Sequence, residues 1–120
     1  MGITVELPFP PRALHPNSRV HWAARAKATK QAREDAAWWA RAAGVKPMRK
    51  AKPLVVFLTF FPPDKRRRDW DGAVSSCKAY FDGIADALGV DDSNFRPGVI
   101  RWGEPRDGGV VRIEIAEAQI

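Results

Sequence analysis

The residues best suited to chemistry stand in one run, Asp64-Lys65-Arg66-Arg67-Arg68-Asp69-Trp70-Asp71, in which four basic side chains adjoin two carboxylates separated by one residue. On an extended backbone alternate side chains point the same way, so Asp69 and Asp71 would converge while Trp70 turns aside. Carboxylates that close repel, and each raises the other's pKa unless a cation lies between them. A hard, oxygen-seeking ion such as Mg²⁺ meets that need. A bare Asp-x-Asp also fits a solvated loop whose acids only balance nearby bases. Lys65, Arg66, Arg67 and Arg68 are the more telling neighbours, because a phosphodiester needs cations beside the metal that activates water.

Further polar groups downstream bear on this run. Asp71, Ser75, Lys78 and Asp82 recur at helical spacing, so they form a polar stripe if one helix carries them all. Lys78 would then either reach the site's edge and steady a phosphate or pair with Asp82. Asp91-Asp92 follows the same predicted helix, where Asp and Ser93 are good turn formers. A helix of about 18 residues is roughly 27 Å long, so Asp92 meets Asp69 only if the chain folds back or a second subunit supplies it.

Charge separates the two parts of the chain. Residues 1 to 52 hold 11 Lys or Arg against three acids, and residues 53 to 120 hold nine against 11, giving +8 and −2. A basic half beside an acid-containing half suits a protein that grips a polyanion with one part and a cation with the other. Arg19, Arg25, Lys27 and Lys30 are the candidate phosphate contacts in the basic half, joined by Lys65 to Arg68. Trp22, beside His21 and Arg25, would stack on bases or, like Trp38 and Trp39, serve a core or an interface.

Other chemistries are excluded. Cys77 is the only cysteine, so no internal disulfide forms, and with His15 and His21 it makes no four-ligand zinc set. Cys77 reads as a small buried helix residue. No signal peptide or membrane-length apolar run is visible, which predicts a soluble cytoplasmic protein without a membrane partner, and no small-molecule cofactor is expected. A chain of 120 residues fits one domain over residues 1–120, a size often supported by oligomerisation.

The elements that must position these groups follow from periodicity. Ile3, Val5, Leu7 and Phe9 alternate with polar residues as a half-buried strand closed by prolines, and a loop runs to about Val20. Ala23 to Ala43 reads as a basic helix stopped by Gly44. Leu54 to Phe61, apolar except for Thr59, predicts a central strand covered on both faces. Asp71 or Gly72 to Leu88 predicts a second helix capped by Gly89. Val99 to Trp102 and Val111 to Ile115 flank a Gly-rich turn as in a hairpin. The order β-α-β-α-β-β predicts an α+β domain with a mixed sheet and two main helices.

In ordered combination these parts resemble the RusA family of Holliday-junction resolvases, small phage and prophage endonucleases, over nearly the whole chain. The resemblance rests on Leu7-Pro8-Phe9-Pro10-Pro11, Pro16-Asn17-Ser18-Arg19 with His21-Trp22, the basic run into Asp69-Trp70-Asp71, and Lys78 and Asp82 leading to Asp91-Asp92. It implies a homodimer in a bacterial or phage-infected cell that cuts four-way DNA junctions by paired symmetric nicks, in recombination and repair. It also implies Mg²⁺, or Mn²⁺ in its place, held by Asp69, Asp71 and Asp92 with Asp91 as helper, gathered in one site per subunit. Gly72 stands where the family often has Asn, and Lys78 lies one turn beyond its usual lysine. A flap or fork nuclease and a non-catalytic DNA-binding protein are the alternatives.

Overall fold

The computed structural model describes residues 2–118. Strand β1 (Gly2–Pro8) buries Val5 and Leu7 and leaves Thr4 and Glu6 on its other side. A single 3-10 turn at Arg12–Leu14 follows the prolines. Helix α1 (Trp22–Ala42) starts on His21, whose Nδ1 accepts from the Ala23 amide at 3.2 Å, and stops where Gly44 takes φ +95°. Its buried face is made of Ala32, Ala36, Ala37 and Ala40, small enough for a neighbouring helix to come close.

Strand β2 (Leu54–Phe61) pairs on both edges, parallel with β3 (Phe95–Trp102) and antiparallel with β4 (Val110–Glu117), giving the order β1-β4-β2-β3. The expected hairpin of β3 with β4 does not form. The connection instead passes the end of β2, where Gly103 N donates to Phe60 O at 2.8 Å and Arg106 N to Pro62 O at 2.9 Å. Inserting β2, the most apolar strand, satisfies its backbone on both sides, which a local hairpin would not do.

One face of the sheet is the core. Val5, Leu7, Leu54, Val56, Leu58, Phe60, Val111, Ile113 and Ile115 are buried there, and the register sets Val5 and Leu58 against Ile113. The second face of β2 is half-buried rather than covered by another layer, contrary to the expectation for a strand apolar on both sides. Gly98 and Gly103 lie close against the rings of Phe57 and Phe61, and Arg106 lies 3.7 Å over the Phe61 ring. These local contacts shelter the aromatic rings without a second helix layer.

The helix expected over residues 71–88 is two helices, α2 (Trp70–Ser75) and α3 (Lys78–Leu88). Ser76 bonds back with both its amide and its Oγ to Gly72 O, the Oγ at 2.7 Å, and Cys77 N turns to Val74 O. A serine hydroxyl returning to the carbonyl four residues earlier competes with helix propagation. The stripe from Asp71 to Asp82 therefore does not lie on one helix.

Helices α1 and α3 pack against each other at Gly83, where a Cβ would stand 2.8 Å from Ala36 Cβ and 3.0 Å from Ala37 N. Arg33 then clamps Asp86 with two hydrogen bonds of 2.7 and 2.8 Å across the same pair. Ile84 and Leu88 enter the core, and Tyr80 donates its hydroxyl to Pro8 O at 2.8 Å. Cys77 is buried as expected, and burial pushes its thiol well above the ordinary range. No tryptophan fills the core: Trp22, Trp38, Trp39, Trp70 and Trp102 are all exposed, so the interior rests on aliphatic residues, alanines, Cys77, Tyr80 and Phe60.

Candidate functional site

The prolines after β1, the loop before α1 and the basic run before α2 together wall a cleft of about 860 Å³. Arg12, Arg19, Arg66, Arg67 and Arg68 line it, and Asp69 and His15 share the wall. Asp64 organises the run: its Oδ1 accepts from Arg66 N at 2.9 Å and pairs with Arg68 at 3.0 Å. The Arg66 amide first, and then Arg68, hold the Asp64 carboxyl below its ordinary pKa. Arg68 folds back onto Asp64 O and Arg66 O, whereas Arg66 and Arg67 stay exposed. The run is thus a buttressed turn presenting cations, not a freely solvated strand.

Extended backbone ends at Asp69, with φ −82° and ψ 132°, and Asp71 lies in the first turn of α2. Two carboxylates on one extended segment is therefore not the geometry that forms. Asp69 occupies the N-cap position yet makes no side-chain cap bond, so its carboxylate is not spent on its own helix. Asp71 Oδ1 accepts from Gly72 N at 2.9 Å. Both side chains belong to exposed residues.

Beyond α3, Gly89 adopts φ +68° and turns the chain, and Asp91 caps a second 3-10 turn (Asp92–Asn94) by accepting from Ser93 N at 2.8 Å. The return brings Asp92 onto the ammonium of Lys78, which also donates to Asp82 at 2.7 Å. Asp82 first and Asp92 second raise the Lys78 pKa, and Lys78 followed by Asp91 lowers that of Asp92. Lys78 thus makes the pairing with Asp82 and in addition ties the start of α3 to the 3-10 turn that follows the helix. The structure joins Lys78, Asp82 and Asp92, and among the described residues no three His, Cys, Asp or Glu form a group that could hold a metal ion.

The other predicted contacts divide. Arg19 lines the cleft; Lys27 and Lys30 are exposed on α1 but do not; Lys65 is exposed at the start of the run. Arg25 does not line the cleft, and its Nη2 donates to His15 O at 3.2 Å and Ser18 O at 2.9 Å, which ties the loop to α1. Arg12 and His15 are not among the contacts expected from the sequence, although they flank a proline- and asparagine-containing loop. Only their distance from the acidic run in sequence conceals them. A smaller cavity of about 160 Å³, between β2, β3 and α3, is apolar and shares no residue with the cleft.

Fold and cleft define a single small α+β domain in which a four-stranded mixed sheet carries its main helices on one face and an arginine-lined groove at one end of β1. No family model matches the sequence. An uncharacterized protein of Xylella fastidiosa (strain Temecula1) is 41% identical over 114 residues, covering 93% of this chain and 74% of that protein. The chain belongs to the same family as that protein. Among the described residues no helix is long and apolar enough to cross a membrane.

Proposed function

We propose that the chain is a Mg²⁺-dependent, structure-selective DNA endonuclease that resolves four-way junctions by paired symmetric nicks as a homodimer. The observation that carries this reading is a cleft lined by five arginines with an uncommitted carboxylate, Asp69, in its wall. The arginines would neutralise a phosphate backbone: Arg67 has no ion-pair partner among the described residues, and Arg66 makes only a long, exposed pair of 3.8 Å with Asp64. Carboxylate oxygens are the donor type a hard divalent ion takes. Asp69 and Asp71 would hold Mg²⁺ or Mn²⁺, with Asp91 and Asp92, which do not form a three-ligand group with them as the chain is arranged here, drawn in to complete the set; bound there, the ion would supply Lewis-acid stabilisation for phosphodiester hydrolysis. Lys78 acts in this scheme by holding Asp92.

Recombination or repair in the cytoplasm of a bacterial or phage-infected cell is the setting this activity would serve. The test is cleavage of synthetic four-way junctions, forks, flaps and plain duplex in Mg²⁺ or Mn²⁺, with Asp71→Asn alongside. Junctions nicked in opposed strands by the wild type alone support the proposal, while intact junctions overturn it. Cleavage confined to flaps or forks would assign a different branched substrate to the same residues. A non-catalytic DNA-binding protein is favoured instead by the lack, among the described residues, of a gathered three-ligand group. That reading requires tight junction binding with no cleavage in either metal.

A further inference from the structure

We propose that His15 is a phosphate-binding residue of the cleft, its Nε2–H donating to a phosphate oxygen of the bound strand beside Asp69; this rests on the nucleic-acid reading above and adds a neutral donor to its arginines. The loop that carries His15 is fixed on every side. His15 N donates to Arg12 O at 3.1 Å, Ser18 N donates to His15 O at 2.9 Å, and Arg25 grips the carbonyls of both His15 and Ser18. Within the ring, Nδ1 accepts from Asn17 N at 3.1 Å. An accepting nitrogen carries no proton, so the neutral imidazole has its proton on Nε2.

Gly72 fixes where that proton points from. A Cβ at Gly72 would stand 2.5 Å from His15 Nε2 and 3.2 Å from Cε1, so the imidazole occupies the space that any other residue would fill. Gly72 has no positive φ and lies within α2, so its glycine is required by the histidine and not by the backbone. Nε2 has no hydrogen-bond partner among the described residues, and none of their sealed side-chain polar atoms lacks one. Nε2 is therefore not fully sealed, and it belongs to a residue that walls the same cleft as Asp69 and the arginines. A fixed, unpaired donor within a cationic cleft is suited to a phosphate oxygen, to which hydrogen bonds are strengthened by charge.

The test measures affinity for a synthetic four-way junction in EDTA, and KM and kcat separately in Mg²⁺. His15→Phe keeps a ring against Gly72 and removes the N–H; it should bind roughly tenfold more weakly, with the loss in KM. His15→Gln, which retains an N–H donor, should recover most of the affinity. Gly72→Ala should weaken binding by displacing the ring, and in a His15→Ala background the same change should cost little more, because both act on one hydrogen bond. Wild-type affinity in His15→Phe, or fully additive losses in the double variant, overturns the proposal. A wild type that binds junctions but never cuts them removes the nuclease reading and leaves His15 to be judged by affinity. A wild type that binds no DNA removes both.

Discussion

Replacing Gly83 with alanine tests whether α1 and α3 touch as closely as described. The added Cβ would press on the Arg33 carbonyl oxygen and stand 2.8 Å from Ala36 Cβ. A backbone oxygen cannot rotate away as a flexible side chain can, so the two helices must part. A gap of up to about 1 Å forfeits a quarter to a half of the dispersion attraction across the interface. Overpacking of this kind costs about 1–3 kcal/mol, and the absence of a yielding side chain puts it near the upper end. Alanine returns about 1 kcal/mol through its helix propensity. The net expectation is a loss of about 2 kcal/mol. At roughly 4 °C per kcal/mol for a domain of this size, the melting temperature should fall by about 8 °C. Chemical denaturation should show a lower midpoint with an unchanged slope. A variant as stable as the wild type would refute the close crossing.

Other perturbations have equally definite outcomes. Asp69→Asn should abolish metal-dependent cleavage yet leave thermal stability within about 0.5 kcal/mol, because the carboxylate caps nothing; a large loss of stability would show that it does structural work. Arg66→Ala with Arg67→Ala should weaken junction binding and make its logarithmic salt slope shallower by roughly 0.9 for each phosphate no longer neutralised; an unchanged slope counts against the cleft. Arg33 lowers the pKa of Asp86, so this pair's stabilisation is present above the unfolded aspartate pKa and is lost as pH falls through the folded one. Since both side chains are well exposed, solvent screens the pair, and Asp86→Asn should flatten acid unfolding only slightly. Tyr80→Phe should destabilise by about 1 kcal/mol in urea denaturation, since Pro8 O loses its hydroxyl donor.

The parts of the fold that depend on local periodicity were legible in the sequence. Val5 and Leu7, the span of α1, the β2 run and the Gly89 turn fall where their patterns put them. Non-local pairing was not. The glycines between Trp102 and Val110 mark a reversal equally well for a hairpin or for a connection around β2, and only the need to pair both edges of β2 selects the latter. Apolar spacing from Val74 to Leu88 runs unbroken through a real helix break, because the break comes from the Ser76 hydroxyl, which hydrophobic pattern does not register. At the candidate site, the basic run was visible as composition. The fixed ring of His15 was not, since its neighbour Gly72 lies 57 positions away and simply looks like a departure from a family pattern.

The strand order has a consequence for how the chain is made. The last strand, β4, lies between β1 and β2, so the first strand has no partner in the sheet until residues 110–117 have been synthesised. A nascent chain can form α1 early, but it must carry β1 unpaired in the sheet until β4 has emerged. Sheet closure then waits on residues 110–117, which join β1 to β2. Loss of a few residues from β4 would sever β1 from the rest of the sheet, leaving the prolines and His15 loop without their anchor.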